Sequence, residues 1–406
     1  MNVLNMALRH VLRSRRRTMV TTGAMAFAGA TMIFYAALIG GFTASMERHA
    51  LAMDTADVQI HARGYLDDPD LYKRIEPHDP IMQALTDQGF KATGRLHGQA
   101  LVAAGKSSSG GLLRGVDLER EPQVTALHTN VVAGHWLSTE APKGVVIGGK
   151  LARTLDVGVG AELVLLSQDA QGFMANDVYT VRGILGTVNE GVDRAGVMMS
   201  AQAFRALMDV PQGVHQIVVA RRTLSEGLET IRADVERAAG PHEVKTWRQL
   251  LPVLASMLDS SGVSMTLMIF ITYAAISMVV LNAMLMSVFE RIGEFGVMKA
   301  IGVSPWQVGS TIVLEAMIQA GAASVLALAV GVPVAFYFQA HGIDLSALTD
   351  TTHISGLPIS PVWYCHLTPT AVVQPIVFLF VVALFSVLYP AVKAAVIQPV
   401  DALRHR

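Results

Sequence analysis

The stretch Glu290-Arg-Ile-Gly-Glu-Phe-Gly-Val-Met-Lys-Ala-Ile-Gly-Val303 lies between two long apolar runs, residues 263–289 before it and 306–338 after it. Each run is long enough to cross a bilayer as a helix, so the stretch between them emerges on one membrane face as the polar hinge of a hairpin. Ile292, Phe295, Met298 and Ile301 recur every third residue and fall along one side of a helix. Glu290, Arg291, Glu294 and Lys299 supply charge around the rest. Such a helix can lie in the interface and offer a surface to a cytosolic partner; without one it is an interfacial linker.

The totals point to a membrane protein. The 406 residues have room for two or three domains and are 52% hydrophobic against 16% charged, an imbalance too great for an ordinary soluble enzyme. A net charge of −1 argues against nucleic acid, which calls for a basic surplus. With Cys365 as the one cysteine, an intrachain disulfide and a cysteine-based zinc site are both excluded.

Arg9, Arg13, Arg15, Arg16 and Arg17 directly precede an apolar run at 19–42. A basic flank stays cytoplasmic, which places segment 1–18 inside. The run would rise about 36 Å as a helix, longer than the core of about 7 to 15 residues in a signal peptide, so it reads as a retained anchor. Gly23, Ala24, Ala28, Gly29, Ala30, Ala36 and Ala37 either admit a neighbouring helix closely or face lipid.

Hydropathy then drops across 43–262, an extracytoplasmic domain if the N-terminus is inside. Residues 43–53 continue the first helix as a stalk, with Phe42, Met46, His49, Ala50 and Met53 on a common side. Val58–Ile60 reads as a strand, 80–88 as a helix capped by Asp79, and 91–104 as one or two strands, a β-α-β unit. Within 105–212, short Gly-punctuated strands near 111–116, 144–147, 162–166, 178–185 and 196–199, with helices at 149–154 and 201–208, read as a mostly-β insertion. A strand at 216–220, a helix at 225–239 capped by Ser225 and a strand at 242–246 form a second β-α-β unit. Residues 247–259 read as the second stalk helix, within a stalk segment at 247–262. The spans at 263–289 and 306–338 come next, the latter interrupted late by Gly331 and Pro333. Loop 339–370 has no Lys or Arg and so lies outside. The fourth span is 371–388, and Lys393, Arg404 and Arg406 keep the tail 389–406 inside. The expected fold class is an α-helical membrane protein with four transmembrane helices plus an α+β extracytoplasmic domain.

Nothing in the chain looks catalytic. Ala104-Gly-Lys-Ser107 lacks the earlier glycine of a phosphate-binding loop, Ala100 standing in its place. His-Glu-x-x-His helices and nucleophile elbows are missing, so energy must come from a separate subunit. Glu315 lies about two turns inside the third span, where an ionised carboxylate is costly; it either faces a partner or snorkels to the cytosolic interface, the latter slightly favoured. Asn282 and Gln319 read as interhelical hydrogen-bonding groups. Met46, Met53, Met257, Met265 and Met268 are flexible thioethers suited to varied apolar partners such as acyl chains, and equally to core packing. Residues 167–177 read as a polar loop with Phe173 and Met174 at its tip.

Glu-Arg-x-x-Glu-Phe-Gly-x-x-Lys-Ala-Ile-Gly, followed by Glu315 and Gly321, closely resembles the hallmark segment of FtsX-like permeases, the membrane subunits of MacB- and Lol-type ABC transporters. The ending Tyr389-Pro-Ala-x-x-Ala-x-x-x-x-Pro-x-x-Ala-Leu-Arg404 is a second, independent likeness. The resemblance implies a coupling helix at 290–303 whose Glu290, Arg291, Glu294, Phe295, Met298, Lys299 and Gly302 contact an ATP-binding subunit, where ATP and magnesium are held. It implies a porter-like subdomain (54–104 and 213–248), a Sabre-like insertion (105–212), a second permease as homo- or heterodimer, and the bacterial inner membrane as location. The implied function is lipoprotein or lipid release, with Phe42, Met46, Met53, Met257 and Met265 as a substrate cavity. The alternatives are mechanical regulation of a cell-wall hydrolase, MacB-like efflux of peptides or small molecules, and a receptor without ATPase coupling. A carrier-docking hook in lipoprotein-releasing relatives is longer and proline-bearing, unlike 167–177.

Overall fold

The computed structural model describes residues 15–223, 226–344, 353–354, 357–358 and 362–396; the expectations for Arg9, Arg13, Ser225, Arg404 and Arg406 lie outside them. In chain order the elements are α1 (Arg15–Ala50), β1 (Val58–His61), α2 (Asp79–Asp87), β2 (Lys91–Ala104), β3 (Ser107–Val116), β4 (Val131–Gly134), β5 (Gly144–Gly148), α3 (Gly149–Leu155), β6 (Glu162–Gln168), β7 (Met174–Leu185), α4 (Glu190–Ala195), β8 (Gly196–Ser200), α5 (Ala201–Met208), β9 (Gln216–Ala220), α6 (Leu228–Ala239), β10 (Glu243–Thr246), α7 (Pro252–Glu290), α8 (Ile292–Ala300), α9 (Pro305–His341) and α10 (Pro369–Val396). They fall into a helical unit (1–44, 258–348, 361–406) and an α+β unit (45–257, 349–360).

In the helical unit, α1, α7, α9 and α10 are long and apolar enough to cross a membrane. Small residues bring two of them together. Ala28, Ala36 and Ala37 are buried, a Cβ on Gly29 would meet Ala327 at 2.9 Å, and one on Gly331 would lie 3.0 Å from Ala30 Cα. The small-residue run of α1 therefore packs on α9 along this face, while Gly23 meets nothing. Polar links join α7 to α10: the Tyr273 hydroxyl donates to the Pro375 carbonyl at 2.7 Å, and the Ser277 and Ser386 hydroxyls lie 2.8 Å apart.

Three expected boundaries move here. The helix at 305–341 passes through Gly331 and Pro333 without interruption, because a neighbouring helix packs against the break point and shields it. The fourth helix runs past Leu388 and Pro390 to Val396, absorbing the start of the expected tail. The second stalk is broken once: Trp247–Leu250 form a turn, Leu251 leaves helical geometry, and Pro252 opens α7, whose residues 252–262 run on into the span.

In the α+β unit the order β10-β1-β9-β2 is antiparallel throughout. With α2 joining β1 to β2 and α6 joining β9 to β10, two split β-α-β units interleave around a core of Val58, Ile60, Leu85, Ile217, Val219, Ile231 and Val235. Asp79 is not the cap of α2 but lies in its first turn, where a carboxylate meets the positive end of the helix dipole.

Residues 91–104 form one strand of 14 residues, and it serves two structures. Its first half pairs with β9, and its second half pairs with β6. From β2 the pairing continues through β3, β8, β5, β7 and β6 and returns to β2, closing a barrel. Closure removes exposed strand edges. The expected division at residue 104 therefore cuts a strand that belongs to both subdomains. Even positions of β2 (Leu96, Ala100, Val102) fill the barrel with Leu113, Leu165, Val197 and Phe204, leaving Arg95, His97 and Gln99 on its outer face. Each buried Val, Leu or Ile stabilises by about 1.5–3 kcal/mol. Ala104-Gly-Lys-Ser107 is the β2–β3 turn, with Gly105 at a φ of +55°, as tight hairpins require.

Candidate functional site

α8 begins just after α7 ends at Glu290, and Gly302, at a φ of +95°, lets the chain turn after it. Ser304 then caps α9 reciprocally with Gln307, with Pro305 at the first helical position. Short, capped connections fix where this helix sits.

Charged residues in and beside it bond to the other helices of the same unit, while Glu294 stays exposed. Arg17 at the start of α1 donates to Glu290 Oε2 at 2.6 Å and to Ser287 Oγ at 2.8 Å. Arg291 donates to Glu315 Oε2 of α9 at 3.2 Å and to Glu294, with its guanidinium 5.1 Å from the Phe295 ring. Lys299 donates to the carbonyls of Ala394 and Ala395, at 3.0 and 2.6 Å, near the end of α10. A cation there meets main-chain carbonyls toward the negative end of the helix dipole. Partial burial of Lys299 pulls its pKa below the usual lysine value. Phe295, 1% exposed, is buried in the bundle core with Val308 and Ile312, and Met298 packs beside it.

These are the groups expected to contact an ATP-binding subunit. In this structure Arg291, Lys299 and Phe295 hold α8 against α9 and α10, and Glu290 holds the end of α7 to α1. Glu315 does not snorkel to the interface: it is buried and paired with Arg291. The outward surface consists of Glu294, Val297, Ala300, Gly302, Ile301 at 74% exposure and Trp306 at 86%. Val297 and Trp306 were missed. The signal available was Trp306 itself, an aromatic placed directly after a helix cap. Gln319 is buried and Asn282 is exposed on α7.

The five residues expected to line a substrate cavity divide between the two units. In the helical unit, Phe42 stacks on Trp363 with ring centroids 4.3 Å apart, and Met265 packs against the bundle core. In the α+β unit Met46 is buried, Met257 is half-buried, and Met53 lines a small cavity and touches the cluster around Val116 and Val188. Much of the expected loop 167–177 is strand. β6 and β7 leave only Asp169–Phe173 as a turn, whose Asp169 carboxylate accepts the Gln171 and Phe173 N–H groups at 2.9 Å. This turn holds Phe173 and Met174 out in solvent.

Comparison with known proteins agrees with this architecture. Residues 18–238 match the MacB-like periplasmic core domain family, and residues 266–399 match the FtsX-like permease C-terminal family. The chain is 22% identical over 417 residues to the lipoprotein-releasing system transmembrane protein LolC of Xylella fastidiosa strain 9a5c, covering 97% of each chain. The LolC of strain Temecula1 gives the same identity and coverage. Among solved structures, the periplasmic region of MacB from Actinobacillus actinomycetemcomitans aligns at a TM-score of 0.37 and 10% identity, covering 51% of this chain and 95% of that one. The extracellular domain of the ABC-type transporter YknZ from Gram-positive bacteria aligns at 0.35 and 10%, covering 48% of this chain and 99% of that one. With more than half of its length matched by one family and most of the remainder by the other, the chain belongs to the MacB/FtsX-like permease family, as a multi-pass membrane protein with a large periplasmic domain.

Proposed function

We propose that this chain is the membrane subunit of an ATP-driven exporter that releases lipoprotein from the bacterial inner membrane, with both termini in the cytoplasm. The observation that carries the reading is the fastening of α8. Arg291 and Lys299 tie it to α9 and α10, Arg17 ties the adjoining end of α7 to α1, and Glu294, Val297, Ile301 and Trp306 face outward. A push on that outward face reaches α9 and α10 through charge-assisted hydrogen bonds, and α7 through the chain itself. A separate dimer of ATP-binding subunits, holding ATP and magnesium, supplies the push, and a second permease completes the membrane part. The full-length similarity to LolC supports lipoprotein as cargo. The half-buried Met53 and Met257 of the α+β unit are adaptable thioethers of the kind an acyl chain can pack against.

Reconstitution with the ATP-binding subunits and the second permease in proteoliposomes tests this. ATP is expected to drive acylated protein out of the membrane. Absence of release from a complex that hydrolyses ATP, together with activation of a cell-wall hydrolase, would replace it with the mechanical-regulator reading.

A further inference from the structure

The far end of α1 is wound differently from the rest. The helix is α-helical to Ala50, and Leu51–Thr55 continue it as a π turn. One added residue rotates the chain beyond it by about 100°. Ala56 then leaves with a φ of +49°, a conformation a non-glycine residue holds only when its surroundings impose it.

Asp54, inside that turn, is what the surroundings hold. Its carboxylate pairs with Arg114 of β3, accepts from Arg95 of β2 at 3.2 Å, and accepts from Asn189 Nδ2 at 2.9 Å. Its backbone carbonyl accepts a further bond from Arg95 at 2.7 Å. Arg95 is buried against Glu121, with contacts of 2.6 and 3.2 Å, and Glu121 also accepts from the Thr125 hydroxyl. Two carboxylates thus balance two guanidiniums. Asn189 caps α4 through the Val192 N–H, so the set reaches β2, β3 and the start of α4 together. Burial alone would raise the Asp54 pKa, but Arg114 and Arg95 outweigh it and hold it at about 2, so the grip stays charged at every physiological pH.

Beside the grip is a cavity of about 410 Å³, lined by Ala50, Met53, Val188, Leu251 and Leu254. Asp54 and Asn189 line the same cavity, so the end of the helix is held by polar bonds and has room beside them. A weld would be packed all round.

We infer that Asp54 is the joint by which α1 grips the periplasmic domain, a positioning residue that passes movement of the helix into the barrel; this rests on the exporter reading above. Elements with two discrete arrangements carry such coupling, and a charge-balanced contact beside a void permits a second arrangement. Glu47, 3.6 Å from Arg221, is a longer and weaker tie from the same helix.

The test uses the assembled complex with its ATP-binding subunits, with and without ATP and vanadate, and reads hydrogen exchange in segments 95–116 and 186–200. The wild-type complex is expected to change exchange there when nucleotide is trapped. Asp54→Asn keeps the shape and removes the charge, and should cut that change at least about fivefold while ATP turnover stays within about twofold. Asp54→Glu should keep at least about half of it, and Glu47→Gln should leave it intact. Should the Asn variant not fold, Asn189→Ala at the rim is expected to reduce the change about twofold. An undiminished change in a folded Asp54→Asn complex, or in Asn189→Ala, overturns the inference, as does a wild-type complex whose periplasmic segments ignore nucleotide. No cargo is needed for this readout, so failure of lipoprotein release sinks the exporter reading separately.

Discussion

The two units solve the packing problem with different residues. The barrel and its neighbouring sheet are filled with Val, Ile, Leu and Phe, many of them fully buried. Where α1 meets α9, Gly29 lies against Ala327, and Gly331 against Ala30 and Ile33. Outside the membrane, burying apolar area is itself the driving force, so larger side chains stabilise more. Inside a bilayer lipid tails are as apolar as leucine, and association depends on close backbone approach and a few hydrogen bonds. Charge divides in the same way. The α+β unit buries a complete, balanced ionic set around Arg95, whereas the helical unit keeps most of its charges near the ends of helices and uses them to fasten α8.

The largest effect that would break this comparison is at Glu121. Glu121→Ala leaves the buried Arg95 guanidinium without its main partner and should cost about 3–5 kcal/mol of stability in the periplasmic domain, read by denaturant unfolding of the full chain. Arg95→Met combined with Glu121→Leu should recover most of that loss. A single variant as stable as wild type would show that the set contributes nothing.

Acid comes next. Burial holds His61 and His215 down at about 4, in His61 against the opposing pull of Glu243. Between pH 6.5 and 4 the unfolded imidazoles take up protons that the folded ones refuse, so stability is full above 6.5 and falls as the pH drops toward 4. The loss should be roughly 3 kcal/mol per histidine at most. Unfolding of the periplasmic domain tracked across that window checks it, and a flat profile contradicts it.

On the membrane side, a Cβ at Gly331 would lie 3.0 Å from Ala30 Cα and 3.1 Å from its carbonyl oxygen. Gly331→Ala should destabilise the bundle by about 1–3 kcal/mol and leave the acid profile unchanged. The smallest effect is at the outward face. Trp306→Ala should not alter stability, yet should weaken retention of the ATP-binding subunit by about tenfold, near 1.4 kcal/mol, in copurification at several salt concentrations. Equal retention would remove Trp306 from that surface.

The four spans and the strands of the periplasmic domain were legible because length and period report burial directly. Barrel closure was not, because β2 reads as one apolar alternation whether it serves one sheet or two, and only its pairing with both β9 and β6 distinguishes them. The motif containing α8 was legible, while the bonds that hold this end of the bundle together were not. Arg17 and Glu290 are 273 positions apart, and Lys299 meets carbonyls that carry no side-chain signal. Glu315 misled for a similar reason: a lone carboxylate in a span reads as costly until Arg291, 24 residues earlier in the chain, is placed against it.

The central claim is that the face bearing Ile301 looks into the cytosol and meets a separate ATP-hydrolysing subunit. Its most direct test is Ile301→Cys in a Cys365→Ser background, treated with a membrane-impermeant maleimide in intact spheroplasts and in inverted vesicles. The account predicts labelling in inverted vesicles alone, suppressed when the ATP-binding subunit is bound. Labelling in intact spheroplasts, or labelling in inverted vesicles that the bound subunit does not diminish, would contradict it.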